Sequence, residues 1–268
     1  MTTGAVLDDM RAEGAELERL LLRGAGLDPA RWALPTPSPG WSVAHQIAHL
    51  AWTDEQSVRA ATDPDAFRRE TRRMLNAAGP GGALLDSVDQ GAADGARQPS
   101  GELLERWRAS REALGRALAA QPEGARMPWY VKPMSVAGMA GARIMEMWAH
   151  GEDVAAALGE PHPVTDRLAH VVRLGTRARD SAYAAHGLEP PAEPVRVEVT
   201  APGGRVWAFG PEDAAQRVTG DAVDFCRLVT QRVHRDDAEV RAEGAEAERW
   251  LGIAQAFAGP PGAGRPRA

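Results

Sequence analysis

The spacing of apolar residues predicts helices over most of the chain and strands only toward its end. Residues 3–23 carry Val6, Leu7, Met10, Leu17, Leu20 and Leu21 at helical intervals, with Gly24 placed to stop the run. The proline-rich stretch GLDPARWALPTPSPG (26–40) reads as a loop that hands over to Ser42, a candidate N-cap for a helix at 43–62. A basic helix follows at 64–78, then a glycine break at 79–82 and a weaker helix at 83–94. Ser100 can cap a helix from 101 to 120 whose buried side holds Leu103, Leu104, Trp107, Leu114 and Leu118. A second proline-marked loop, 121–135, carries Trp129, Tyr130 and Lys132. Ser135 then opens a long helix to 158, ended by Gly159 and Pro161, and Thr165 opens another that stops at Gly187.

The periodicity changes after 187. VRVEV and RVWAF alternate and flank TAPGG, which predicts a hairpin. A strand at 215–218, a helix at 221–233, a strand at 237–242 and a helix at 245–258 complete the pattern. The expected plan is mostly α: a four-helix-type bundle over 1–187, a small α+β domain over 188–258, and a disordered tail, GPPGAGRPRA, over 259–268.

Composition narrows the function. A chain of 268 residues with 44% hydrophobic and 25% charged residues is globular. A formal charge of −6, with no basic tract, argues against a nucleic-acid partner. No apolar run approaches the ~20 residues that span a bilayer, so no membrane partner is expected. The N-terminal stretch lacks the basic start and apolar core of a signal peptide, which makes the cytoplasm the expected compartment. A small molecule remains as the expected partner, and no pattern speaks to oligomeric state. The single cysteine, Cys226, excludes an internal disulfide and falls on an apolar helical stripe with Ala222, Phe225, Val229 and Val233. A buried, inert thiol is expected there.

Two helices carry an ionisable stripe distinct from their aliphatic one. On helix 43–62, Val43, Ile47 and Leu50 form the packing face, while His45, His49, Trp52 and Gln56 form a second stripe. On the long helix, Glu146 and His150 are four apart and Asp153 follows, framed by Met139, Ala142 and Ala157. Bundle interiors assemble metal sites from carboxylate and histidine on facing helices. A histidine from one helix with Glu146 and His150 from the other makes an N,N,O set that leaves coordination positions open, the catalytic rather than the structural pattern. Zinc suits such ligands, and iron(II), nickel and manganese accept the same set. His45, in the first helical turn, has a hydrogen-bonding role as its alternative to ligation. Asp153 is either a solvated acid or the partner of His150.

GWSVAHQIAHLAW, followed about a hundred residues later by RIMEMWAHGEDVAAALG, resembles the DinB-like metal-binding bundle family. The likeness is greatest to the metal-binding domain of mycothiol-dependent maleylpyruvate isomerases, over about 10–160. The resemblance implies a divalent metal held by His49, Glu146 and His150, with His45 one turn before the ligand position. It further implies an isomerase or S-transferase in which a metal-bound low-molecular-weight thiol, mycothiol, attacks an electrophilic small molecule. The C-terminal part resembles the sterol-carrier-like domains attached to such bundles, from which the isomerase takes an arginine. Arg232, or Arg227, is the matching expectation here, and Trp129 and Tyr130 are expected to wall the pocket. A metal enzyme that needs no thiol, catalysing cyclisation, elimination or hydrolysis, and a non-catalytic metal-binding module are the competing readings.

Overall fold

The computed structural model describes residues 2–77, 82–130, 132–257 and 259–267. Of the glycine break expected at 79–82, residues 79–81 lie outside that set. The first stripe forms α1 (Thr3–Gly24), and the loop after it contains one short turn, α2 (Pro29–Trp32). Next come α3 (Val43–Thr62), α4 (Pro64–Ala77), α5 (Gly82–Ala96) and α6 (Ser100–Ala119). A two-stranded ribbon, β1 (Arg126–Met127) with β2 (Met134–Ser135), leads into α7 (Val136–Leu158). Ser135 caps α7 by accepting from Gly138 N–H at 3.1 Å, and Gly159 ends it at φ +68°, a left-handed conformation glycine adopts freely.

Helices α1, α3, α6 and α7 form the bundle: α3 packs on α6 and α7, α1 on α7 and α6, and α4 and α5 flank α3. The predicted stripes supply its core, with Leu20, Leu21, Val43, Ile47, Leu103 and Trp107 fully buried. Burying a side chain of this size stabilises by about 1.5–3 kcal/mol, far more than an exposed ion pair. Register of these stripes therefore sets how the helices face one another. Ser100 does not cap α6 as expected. It is the first helical residue, behind Pro99, and its hydroxyl donates to the Leu27 carbonyl at 2.7 Å, tying α6 to the end of α1.

The chain divides into two compact units, Met1–His162 and Pro163–Ala268, so the boundary lies earlier than the 187/188 expected from texture. The expected helix at 165–187 is broken at Ala178 into α8 (Leu168–Arg177) and α9 (Arg179–Ala185). Both belong to the C-terminal unit because α8 packs on α10 (Ala222–Val229), where Gly175 leaves room for the Val229 side chain. That unit holds a four-stranded sheet of β3 (Val195–Thr200), β4 (Val206–Phe209), β5 (Gln216–Asp221) and β6 (Val240–Glu243), in the order β4-β3-β5-β6. The β3–β4 hairpin is present in the expected place, while β5 runs parallel to β3. The last helix, α11 (Ala245–Leu251), is shorter than expected, and Trp250 on it is buried against Phe225. Residues 259–267 carry no helix or strand, yet Gln255 donates to Gly259 O at 2.9 Å and Arg267 lies 3.4 Å from Asp236. The tail expected to be disordered thus folds back on the C-terminal unit. Among the described residues no helix is long and apolar enough to cross a membrane.

Candidate metal centre

His49 sits two turns into α3, and Glu146 and His150 lie one turn apart on α7. The packing of α3 on α7 brings all three together, with one ligand-capable atom from each within 4.8 Å of the others. Glu146 Oε2 is 3.1 Å from His49 Nε2 and 3.2 Å from His150 Nε2. Two atoms each ~2.0–2.2 Å from one tetrahedral ion stand about 3.3–3.6 Å apart, so these separations lie a few tenths of an ångström inside those of a shared cation.

The hydrogen-bond network bears on that fit. The Trp41 carbonyl can only accept, and it takes the Thr36 hydroxyl at 2.9 Å. Thr36 Oγ1 in turn accepts from the Gln46 side-chain N–H at 2.9 Å, which orients the Gln46 amide with its oxygen toward the site. That oxygen accepts the Nδ1–H of His150. With its proton held on Nδ1, a neutral His150 presents a bare Nε2 lone pair to a carboxylate oxygen. Lone pair then faces lone pair, a conflict that either a second ring proton or a cation between them resolves. His49 is not committed in this way. Its Nδ1 is buried with no partner, so Nε2–H donates to Glu146 until an ion takes that nitrogen.

Burial pushes the Glu146 carboxyl up, but the His150 and His49 rings and the Arg143 guanidinium outweigh it and hold the group well below the usual carboxylate range. Arg143, one turn earlier on α7, is 4% exposed and places Nη2 3.7 Å from the other Glu146 oxygen. Trp41 covers the outer side, stacked on His150 at 5.9 Å and 5.4 Å from His49. The loop carrying Trp41 is fixed by the bridge of Pro35 with Ser42 and by the Ser38 hydroxyl, which donates to Asp153 at 2.9 Å. The proline-rich connector is a wall of the site.

The other expected site residues have distinct places. His45 Nδ1 accepts from the Ser42 backbone N–H at 3.3 Å and lies 2.8 Å from the Ser42 hydroxyl, so it closes the first turn of α3. Burial lowers its pKa, which favours the neutral ring this acceptance needs. Asp153 is buried and accepts from the Ser38 hydroxyl, while the His150 ring donates from Nδ1 to the Gln46 side-chain oxygen. Trp52 and Tyr130 line a separate cavity of about 740 Å³ between α3, α4 and α5, where Gly91 lets the Trp52 ring approach. Trp129 stacks on Phe67 at 5.6 Å, with Tyr130 against both rings. Burial pushes the Tyr130 hydroxyl well above its usual range.

In the C-terminal unit α10 ends at Val229, so Arg232 lies beyond the helix expected to carry it, and its guanidinium donates to Thr230 O at 2.7 Å. Arg227 lies 3.7 Å from Asp224. Cys226 is fully buried, as its stripe predicted. Gln46, Trp41, Arg143 and Asp54 were not singled out from the sequence. For Gln46 and Arg143 a signal existed: a polar residue one turn from a ligand, inside an otherwise apolar segment.

The sequence and the fold have counterparts among known proteins. The family model of the mycothiol maleylpyruvate isomerase N-terminal domain matches residues 11–155, and a second model, wyosine base formation, matches 191–241. Uncharacterised proteins from two strains of Mycobacterium tuberculosis are each 50% identical over 262 residues, covering 98% of both chains. The crystal structure of a mycothiol-dependent maleylpyruvate isomerase superposes with a TM-score of 0.61 at 17% identity, over 90% of this chain and 93% of that one. Its histidine-to-alanine mutant gives 0.60 at 16% identity with the same coverage. At that identity the structural likeness speaks for the fold, while the family model spans more than half of the sequence. The chain therefore belongs to the family defined by the mycothiol maleylpyruvate isomerase N-terminal domain.

Proposed function

We propose that this protein is a metal-dependent enzyme that uses a low-molecular-weight thiol of the mycothiol class to isomerise, or to transfer sulfur to, an electrophilic small molecule. The observation that carries the reading is the convergence of His49, Glu146 and His150 with the His150 proton already held on Nδ1 by Gln46. A divalent cation held there would supply Lewis acidity and favour the thiolate form of a coordinated thiol. His49, Glu146 and His150 would bind it, and three protein ligands leave a position for thiol or substrate. Gln46 holds a ring proton on His150 Nδ1, which makes Nε2 the nitrogen that would face the metal. Trp41 limits water at the ligand rings, and Arg143 restrains the Glu146 oxygen that does not face them. The chain's own thiol is buried, with its sulfur 3.8 Å from the Leu168 carbonyl, which supports a thiol delivered from solution.

Elemental analysis of His49→Ala, Glu146→Gln and His150→Ala tests the ligands: each is expected to lose bound metal and turnover together. Full metal occupancy in all three would overturn the ligand set. Turnover of an electrophile by wild-type protein freed of thiols would overturn the thiol requirement and leave the metal centre standing.

A further inference from the structure

A second cavity, of about 280 Å³, lies between α1, α3, α6 and α7, one helical turn from Glu146. Its walls include Met10, Leu114 and Met147, and its polar lining is dominated by arginine. The outer guanidinium groups already have acids. Arg108 lies 2.6 Å from Glu18, Arg111 also pairs with Glu18, Arg11 lies 2.7 Å from Asp8, and Arg116 pairs with Glu112. Arg143 differs. It is 4% exposed, neither Nε nor Nη1 has a hydrogen-bond partner, and its nearest acid is Glu146 at 3.7 Å. Glu146 is also the oxygen ligand of the metal centre, so its charge is shared with any cation there.

Asp54, on the same cavity wall, does not neutralise Arg143 by contact. Its carboxyl is 2% exposed with Oδ2 unpartnered, and no ion pair joins the two residues. Burial raises this carboxyl, the Arg143 and Arg111 charges lower it, and the outcome is a pKa pushed up to about 7, so near neutrality much of it is uncharged. A buried guanidinium with two unused donors is costly unless something accepts from it. Nη1 and the neighbouring Nη2 form a planar fork that matches a carboxylate with two parallel hydrogen bonds. The volume is just below the ~300–1,000 Å³ range of small-molecule sites, which selects a short acid with an apolar body.

We propose that this cavity is a binding site for a small aliphatic carboxylate, gripped by Arg143 and enclosed by Met10, Leu114 and Met147. The site is separate from the three metal ligands and does not rest on the thiol reading. It is coupled to them, because a carboxylate on Arg143 weakens the hold of that guanidinium on Glu146.

Calorimetric titration of the metal-loaded protein with butyrate, with 1-butanol as the uncharged control, tests the assignment. Saturable butyrate binding, no butanol binding and at least a tenfold loss of affinity in Arg143→Gln are expected. Wild-type protein that takes up no butyrate, or an Arg143→Gln variant that binds it equally, overturns the site. Two further variants guard against misreading. His49→Ala, depleted of metal, is expected to keep saturable binding with affinity within tenfold of wild type, the residual change reflecting the coupling through Glu146, and abolished binding there would place butyrate on the metal instead. Asp54→Asn removes the competing acid and is expected to bind at least as tightly as wild type. Loss in Asp54→Asn as well as Arg143→Gln would mean both act through the fold, and the proposal would fail.

Discussion

Replacing Gln46 by leucine isolates the contribution of a residue that touches a proposed ligand and lies outside the ligand set. Gln46 is fully buried, accepts the His150 Nδ1 proton and donates to Thr36 at 2.9 Å. Leucine has similar bulk and no acceptor. In the metal-free variant the ring can move its proton to Nε2, where Glu146 Oε2 waits 3.2 Å away. Loading a cation then forces the proton back to an unpartnered Nδ1 in a buried site. An unpaired buried donor costs about 1–3 kcal/mol, which is roughly a 5- to 150-fold weaker metal affinity. The measurement is a zinc titration against a competing chelator, with ¹⁵N-histidine spectra to read which ring nitrogen carries the proton. Gln46→Glu supplies a stronger acceptor and is expected to restore wild-type affinity or exceed it. A packing role alone would make the glutamate as harmful as the leucine. Zinc affinity within twofold of wild type in Gln46→Leu, or a His150 proton still on Nδ1 in the metal-free variant, would refute the reasoning.

Two other substitutions separate structure from ligation. His45→Ala is expected to retain metal stoichiometry while destabilising the start of α3 by about 0.5–2 kcal/mol, the usual range for a lost cap; metal loss there, seen by elemental analysis, would make His45 a ligand. Asp54 has a folded pKa raised from 3.8 to about 7, so the folded state holds this proton more tightly than the unfolded chain. Its contribution to stability is fully present below pH 3.8 and is lost as pH rises toward 7. Denaturant unfolding of chelated protein should show the stability of wild type relative to Asp54→Asn falling by about 1 kcal/mol per pH unit between pH 5 and 7, more steeply at the lower end. A difference that stays constant with pH would mean Asp54 is not held protonated.

What the sequence reveals here follows the range of the interactions. Glu146 and His150 share one helix, so the helical repeat alone puts them on one face, and α3 offers His49 by the same rule. The division of labour between His45 and His49 is not in the spacing. It depends on Ser42 turning back to meet His45 and on α7 packing against α3 one turn further along, at His49. Gln46 is harder still. Its role passes through Thr36 and the Trp41 carbonyl in a loop whose prolines read as mere connection. Arg143 shows the same limit from the other side, since an arginine in a helix is ordinarily solvated and only the packing of four helices around it removes that option. The domain boundary fails for a related reason. The apolar stripe of Leu168, Val171, Val172 and Gly175 is as good a bundle helix as any upstream, and nothing within it says which core it serves. Partner choice between helices is settled by shape, here by Gly175 admitting Val229, and shape is a property of two segments at once. Local chemistry can therefore nominate candidate ligands before it can nominate the residues that position them.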